Sequence, residues 1–370
     1  MWFDLLLEPV MSSLLPFGPS EGRAENGNAS APLRSPAYAL DESRFSGQLA
    51  MLLQGHGSSH SLSAVNEFNH PLFSVREAIA DPEVLGIAID VLSLGLEFIS
   101  GTDYRQKISN LFEQFKGAIT LAPSGEQAWT SVLDAFGGIE NARGLLAHRM
   151  VDLDQTFRAC WADQNLLPRG LTLDLGCGNG IASRNFCQMA PEVTSLVLAD
   201  ICDYRSAEAV DTPFILLDRE GSLPFRDGCF DSVLVVTVLH HSKTPRALLA
   251  EAVRVCKDRI FIVESIVGSS VFSTVERFPA QAGRTWETMK EIERRFLELS
   301  LEQQMKHASI HDWLVNFAAH GWIEAPMNFG TDADWKKAFS ELGLRLKNRT
   351  LVGFDQITAP ECHVLYVCEK

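Results

Sequence analysis

Thr172-Leu173-Asp174-Leu175-Gly176-Cys177-Gly178-Asn179-Gly180 is the stretch on which the reading of this chain turns. An apolar run carrying one carboxylate stops at glycines 176, 178 and 180. The run has the composition of a buried strand. The glycines permit positive φ and remove side chains that would hold a ligand away from the backbone. Such a turn, leading into a helix with free N–H groups, lets a nucleoside-bearing cofactor lie against the main chain. Many glycine turns are purely structural, so the segments downstream must decide.

Downstream, strand-like runs rich in Val, Ile, Leu and Phe occur at 171–175, 195–199, 214–217, 232–236 and 260–263. Helical stretches at about 179–190, 203–210 and 244–255 separate most of them. Strands alternating with helices predict an α/β fold with a doubly wound, mostly parallel, Rossmann-like sheet. A closing hairpin, 345–354 with 362–368, brings the count to seven strands and makes the last one antiparallel. Between the fifth strand and the hairpin lies a helical insertion at 270–320, with Trp286, Met289, Ile292, Phe296, Leu297 and Leu301 on one face.

Upstream, residues 139–370 form the expected α/β domain and 47–138 a helical region. Residues 1–46 are an N-terminal segment ending in a linker rich in Gly, Ser, Asn, Ala and Pro. Asp81-Pro82 should start a helix, with Pro in the first turn. A second helix is expected at about 103–121, and Pro123-Ser124-Gly125-Glu126 reads as the cap of the next. Gly137-Gly138 should break the pattern before an amphipathic stretch from 139 to 165. Phe68, Phe73, Phe98, Phe112, Phe115 and Trp129 are expected to be core residues.

Composition narrows the partners. The chain has 370 residues, 46% of them hydrophobic, and a net charge of −15 from 32 basic and 47 acidic residues. It has no Lys/Arg-rich run, which disfavours nucleic acid and anionic membrane surfaces as partners. The eight cysteines (160, 177, 187, 202, 229, 256, 362 and 368) form no C-x-x-C pair, as expected of reduced thiols in a cytoplasmic protein. The apolar start, MWFDLLLEPVMSSLLPFG, carries Asp4, Glu8 and Pro9 and reads as neither signal peptide nor membrane span.

Chemistry-bearing residues fall at successive strand ends. Asp174 precedes the glycine turn, and Asp200 closes Leu196-Val197-Leu198-Ala199-Asp200, where a carboxylate can accept two hydrogen bonds from a ribose diol. Asp218-Arg219 follows the third strand and Leu239-His240-His241 the fourth.

LDLGCGNG at 173–180, LAD at 198–200, LPFRDGCFDSV at 223–233, VLHHSKTPRALLAEAVRV at 238–255 and IFIVES at 260–265 together resemble class I S-adenosylmethionine-dependent methyltransferases. An NAD-binding domain would show G-x-G-x-x-G in place of G-x-G-x-G. The resemblance implies S-adenosylmethionine as cofactor, with Asp174, Gly176, Cys177, Gly178 and Gly180 around its methionine and ribose parts. It also implies Asp200 on the ribose hydroxyls, Ile201 packed on adenine, Asp218 and Arg219 at the adenine edge, and Thr237 near the methionine moiety. Asp218 lies one residue further from Leu223 than the family pattern has it.

His240 and His241 are the candidate catalytic residues, because a general base is needed where the acceptor must lose a proton. The competing reading has the pair cap or orient the following loop. No metal site is expected: His307, His311 and His320 read as surface or substrate-pocket residues, and His56 and His60 as part of a loop. Arg205 fits either an acidic substrate group or a solvated helix start, and Cys177 is expected to pack without acting as a nucleophile. The expected function is methylation of a small-molecule acceptor, in the biosynthesis of a specialised metabolite. The alternatives are a non-methylating reaction on the same fold and a cofactor-binding subunit that needs a partner. The N-terminal helical region is the expected surface for a homodimer or such a partner.

Overall fold

A computed structural model describes residues 65–117, 131–138, 141, 166–203, 205–218, 222–270, 284–315, 326–356 and 359–370. Expectations for 1–64, for the cap at 123–126, for nearly all of 139–165, and for Trp129, Arg219 and His320 lie outside them.

The N-terminal helices are α1 (Val75–Ala80), α2 (Pro82–Ser100) and α3 (Arg105–Gly117). Asp81 caps α2 as its sequence requires: Oδ1 accepts from Glu83 and Val84 N–H, and Pro82 takes the first helical position. Gly101 ends the helix at φ 67°. Ten residues of α2, including Val84, Ile87, Val91 and Leu96, are buried. A helix apolar on so many sides must be surrounded. Helix α2 is indeed packed against α1 and α3 and against α6 (Arg284–Glu298) and α7 (Leu301–Val315) of the insertion. The upstream helices and the insertion thus form one layer, and α2 and α7 reach the sheet through its last strand. Phe112 and Phe115 are core, as expected, whereas Phe98 is 41% exposed.

The sheet comprises β1 (Gly170–Leu175), β2 (Val193–Asp200), β3 (Phe214–Leu216), β4 (Phe230–Val236), β5 (Cys256–Val267), β7 (Arg345–Gln356) and β8 (Ala359–Glu369), in the order β3-β2-β1-β4-β5-β8-β7. A two-residue β6 (Gly330–Thr331) pairs with the end of β5. The first five strands run parallel, and β8 is antiparallel to both its neighbours. Strand β5 runs past its apolar stretch: Glu264 and Ser265 continue it by pairing with Val364 and His363 of β8. Helix α4 (Ile181–Gln188) follows β1, α5 (Pro245–Val255) precedes β5, and α8 (Asp332–Glu341) precedes β7. Phe186 and Cys187 of α4 pack in one core with Leu234, Phe261, Val263 and Leu365 of the sheet.

One expected helix is missing. The described residues between 203 and 212 form turns, not a helix. Arg205 explains this: its guanidinium grips Asp203 (2.8 Å) and donates to the carbonyls of Val210 (3.0 Å) and Thr212 (2.8 Å) while lying over Phe214. These bonds tie Asp203, Val210 and Thr212 to one side chain and hold the segment as turns. Arg205 is therefore engaged within its own loop.

Candidate cofactor site and buried histidine cluster

Strand order reverses between β1 and β4, and the crevice outside the carboxyl ends of those strands is where a doubly wound sheet binds its ligand. The glycine turn leaves β1 at this crevice and Thr237 leaves β4 beside it.

The turn is tied to the end of β2. Gly176 and Cys177 N–H donate to the Ala199 carbonyl at 2.8 and 3.2 Å, and Gly178 N–H donates to Asp200 Oδ2 at 2.9 Å. Asp200 Oδ1 accepts from Ile201 N–H at 2.7 Å. Further along, Gly180 N–H bonds Cys177 O and Ile181 N–H bonds Asn179 Oδ1. The N–H groups of the turn at 176, 177, 178 and 180 are thus satisfied within the protein, and of the following helix, whose N–H groups were expected to be free, Ile181 is capped by Asn179. Gly176, Gly178 and Gly180 all have positive φ, at 74°, 56° and 77°. A Cβ on Gly176 would sit 2.4 Å from Val238, and one on Gly180 would sit 2.8 Å from Leu198 and 2.9 Å from Ala209. These two positions therefore require glycine for backbone geometry and close packing.

Two carboxylates flank the turn. Asp174 is buried in β1, and that burial pushes its carboxyl up to about 7; Ser183 opposes the shift and Asp200 adds to it. Burial, with Asp174 and Asp200 nearby, also drives the Cys177 thiol far above its ordinary range, which disfavours the thiolate. Ile201 is 39% exposed beside Asp200. Asp218 is exposed just beyond β3, with no hydrogen bond among the described residues. Thr237 is held at φ 53° with its N–H on the Val263 carbonyl at 2.7 Å. A β-branched residue in this region is strained, by on the order of 1–3 kcal/mol.

Beyond Thr237 a short 3-10 turn, Leu239–His241, presents the two histidines. His240 is fully buried, with Nδ1 2.7 Å from Glu264 Oε2 of β5 and its ring stacked on Phe329 at 4.9 Å. Glu264 Oε1 accepts from Val238 and Leu239 N–H at 3.0 and 2.7 Å, so one buried carboxylate holds both the turn and the ring. Burial alone would lower the His240 pKa; the charge and hydrogen bond of Glu264, helped by Asp312 and Glu361, outweigh it and hold the imidazole above its ordinary value. His241, partly exposed, has Nδ1 3.6 Å from Asp312 Oδ1 of α7.

His307 and His311 are buried, not on the surface. Burial drives His307 down to about 3, with His311 adding to the effect and Glu361 opposing it. His311 and His363 lie 3.7 and 3.2 Å from the two oxygens of Glu361. Glu264, Asp312, Phe329, Glu361 and His363 went unassigned in the sequence. The signal at Glu264 was an acid inside the apolar strand IFIVES, because a buried carboxylate needs a partner.

Residues 173–263 match the family model described as a methyltransferase domain. The glycine turn and Asp200 both lie inside the matched stretch, so this part of the chain is similar to a methyltransferase domain. It is 35% identical over 98 residues to a tRNA (carboxymethyluridine(34)-5-O)-methyltransferase of Xenopus tropicalis, over 25% of this chain and 14% of that one. It is 28% identical over 106 residues to an uncharacterised protein of Methanocaldococcus jannaschii, over 29% of this chain and 49% of that one. The chain thus spans half or less of these relatives' lengths. A solved magnesium protoporphyrin IX methyltransferase from Synechocystis, bound to S-adenosylhomocysteine, is similar at a TM-score of 0.36 and 15% identity, over 60% of this chain and 84% of that one. Among the described residues no helix is long and apolar enough to cross a membrane.

Proposed function

We propose that this chain binds S-adenosylmethionine at the β1/β4 crevice and transfers its methyl group to a small-molecule acceptor. The observation that carries this reading is the glycine turn whose N–H groups are spent on Ala199, Asp200, Cys177 and Asn179. A dinucleotide site needs those donors for pyrophosphate. Here the turn offers flat backbone flanked by the carboxyls of Asp174 and Asp200, which suits a cofactor that carries a ribose and positive charge and no phosphate. Asp200 is placed to accept from the ribose hydroxyls, and exposed Ile201 supplies an apolar surface for adenine. In this reading Asp218 and Arg219 serve the adenine side, and Asp174 and Thr237 the methionine side.

The cofactor, when bound, supplies a methyl group on a sulfonium leaving group. The protein's task is then mainly alignment of the acceptor and exclusion of water. His240 and His241 stand at the carboxyl end of β4, the side from which an acceptor approaches. Glu264 fixes the His240 ring through Nδ1, leaving Nε2 as the atom that can meet an acceptor proton.

A net charge of −15 supports a small acceptor over a tRNA, despite the Xenopus relative, because a polyanion would meet net repulsion. A role in specialised metabolism in the cytoplasm fits that reading. So does a partner or second copy seated on the N-terminal helical layer. Mass spectrometry of turnover mixtures with a small-molecule acceptor panel and with tRNA tests the proposal. A small product one methyl heavier, with S-adenosylhomocysteine formed in equal amount, supports it. Methylated tRNA, or product with unconsumed cofactor, overturns it.

A further inference from the structure

The histidine pair at the end of β4 holds more than a proton-transfer role requires. His240, His241 and Asp312 each offer a ligand atom within 4.8 Å of the other two. The His241–Asp312 separation of 3.6 Å is close to the edge of a tetrahedron with bonds of about 2.0–2.1 Å, which is about 3.3 Å. His240 is fully buried and its Nε2 has no hydrogen-bond partner among the described residues. A buried ring nitrogen with no partner costs on the order of 1–3 kcal/mol, so its orphaning requires an explanation.

The other ring nitrogen supplies one. His240 Nδ1 is bonded to Glu264 Oε2, which in turn is oriented by two backbone N–H groups. A carboxylate on one imidazole nitrogen, with the opposite nitrogen left without a partner among the described residues, matches the outer-shell pattern of metal-bound histidines. Phe329 stacked on the ring fixes its plane.

We propose that His240 Nε2, His241 and Asp312 bind one divalent first-row transition ion, such as Zn²⁺. Two imidazoles and one carboxylate favour such an ion over Mg²⁺ or Ca²⁺, which prefer all-oxygen shells. Three protein ligands leave a position open. Asp312 arrives from the insertion helix α7, so the ion would also clamp the insertion layer to the end of β4. If the methyl-transfer reading holds, the open position takes an acceptor oxygen and lowers its pKa, the task assigned above to a histidine base.

Calorimetry of chelator-treated, tag-free protein with Zn²⁺, and in parallel Mg²⁺, tests the site without turnover, while S-adenosylmethionine binding measured on the same samples tests the cofactor reading separately. Saturable binding of one Zn²⁺ per chain is expected, at least tenfold weaker in Asp312→Asn and His240→Gln and unchanged in the control His70→Ala. Co²⁺ should give visible absorption bands that both variants lose. Circular dichroism of each variant separates lost binding from lost folding. The proposal is overturned if Zn²⁺ binds no more tightly than Mg²⁺, or if folded Asp312→Asn and His240→Gln bind it like the parent.

Discussion

Asp174→Asn isolates the electrostatic cost of the cofactor crevice. Burial in β1 raises the Asp174 carboxyl from 3.8 to about 7. Between these values the folded chain keeps a proton that the unfolded chain has released. Its contribution to stability is therefore lost as pH rises, beginning near 3.8 and levelling off above about 7. At 1.36 kcal/mol per pKa unit, the loss is about 2 kcal/mol by pH 5.5 and about 4 kcal/mol above pH 7. Asparagine is nearly isosteric, can still accept from Ser183 and does not titrate. Urea denaturation of both proteins from pH 4 to pH 8.5, without cofactor, should show Asp174→Asn gaining on the parent by about that amount across the range. Groups distant from Asp174 titrate equally in both chains and cancel in the difference. Parallel profiles would refute the reasoning, because the carboxylate would then be solvated or paired.

Two other substitutions test the packing of the site. Gly180→Ala places a Cβ against Leu198 and Ala209 at φ 77°, so urea denaturation should show a loss of about 3 kcal/mol; a change under about 1 kcal/mol would mean the turn relaxes freely. Glu264→Ala strands two backbone N–H groups and His240 Nδ1, and should cost about 4 kcal/mol by the same assay, with Glu264→Gln losing less because one acceptor is retained.

The sheet was legible because its strands are short apolar runs and its switch point is marked by glycines. The absence of the helix expected at 203–210 was not, because Arg205 ties Asp203, Val210 and Thr212 together in a turn, and periodicity carries no trace of those bonds. The segments most specific to the family resemblance prove to be one structural clasp. Glu251 accepts from Leu223 N–H, and Arg254 donates to the carbonyls of Leu223 and Phe225 and to Asp227. LPFRDG and AEAVRV are thus bound to one another across 28 residues of sequence and contribute position more than chemistry. The Asp200 position was readable from its place at a strand end. The histidine cluster was not, because Glu264, Asp312 and His363 come from three separate elements and meet only through the β5–β8 pairing and the packing of α7.

Calorimetric titration of the full chain with S-adenosylmethionine tests the central claim most directly. The account expects one site per chain, weakened by up to about 3 kcal/mol in Asp200→Ala through loss of hydrogen bonds to a charged acceptor, with NAD giving no heat. Tight binding of NAD, or S-adenosylmethionine affinity identical in parent and Asp200→Ala, would contradict it.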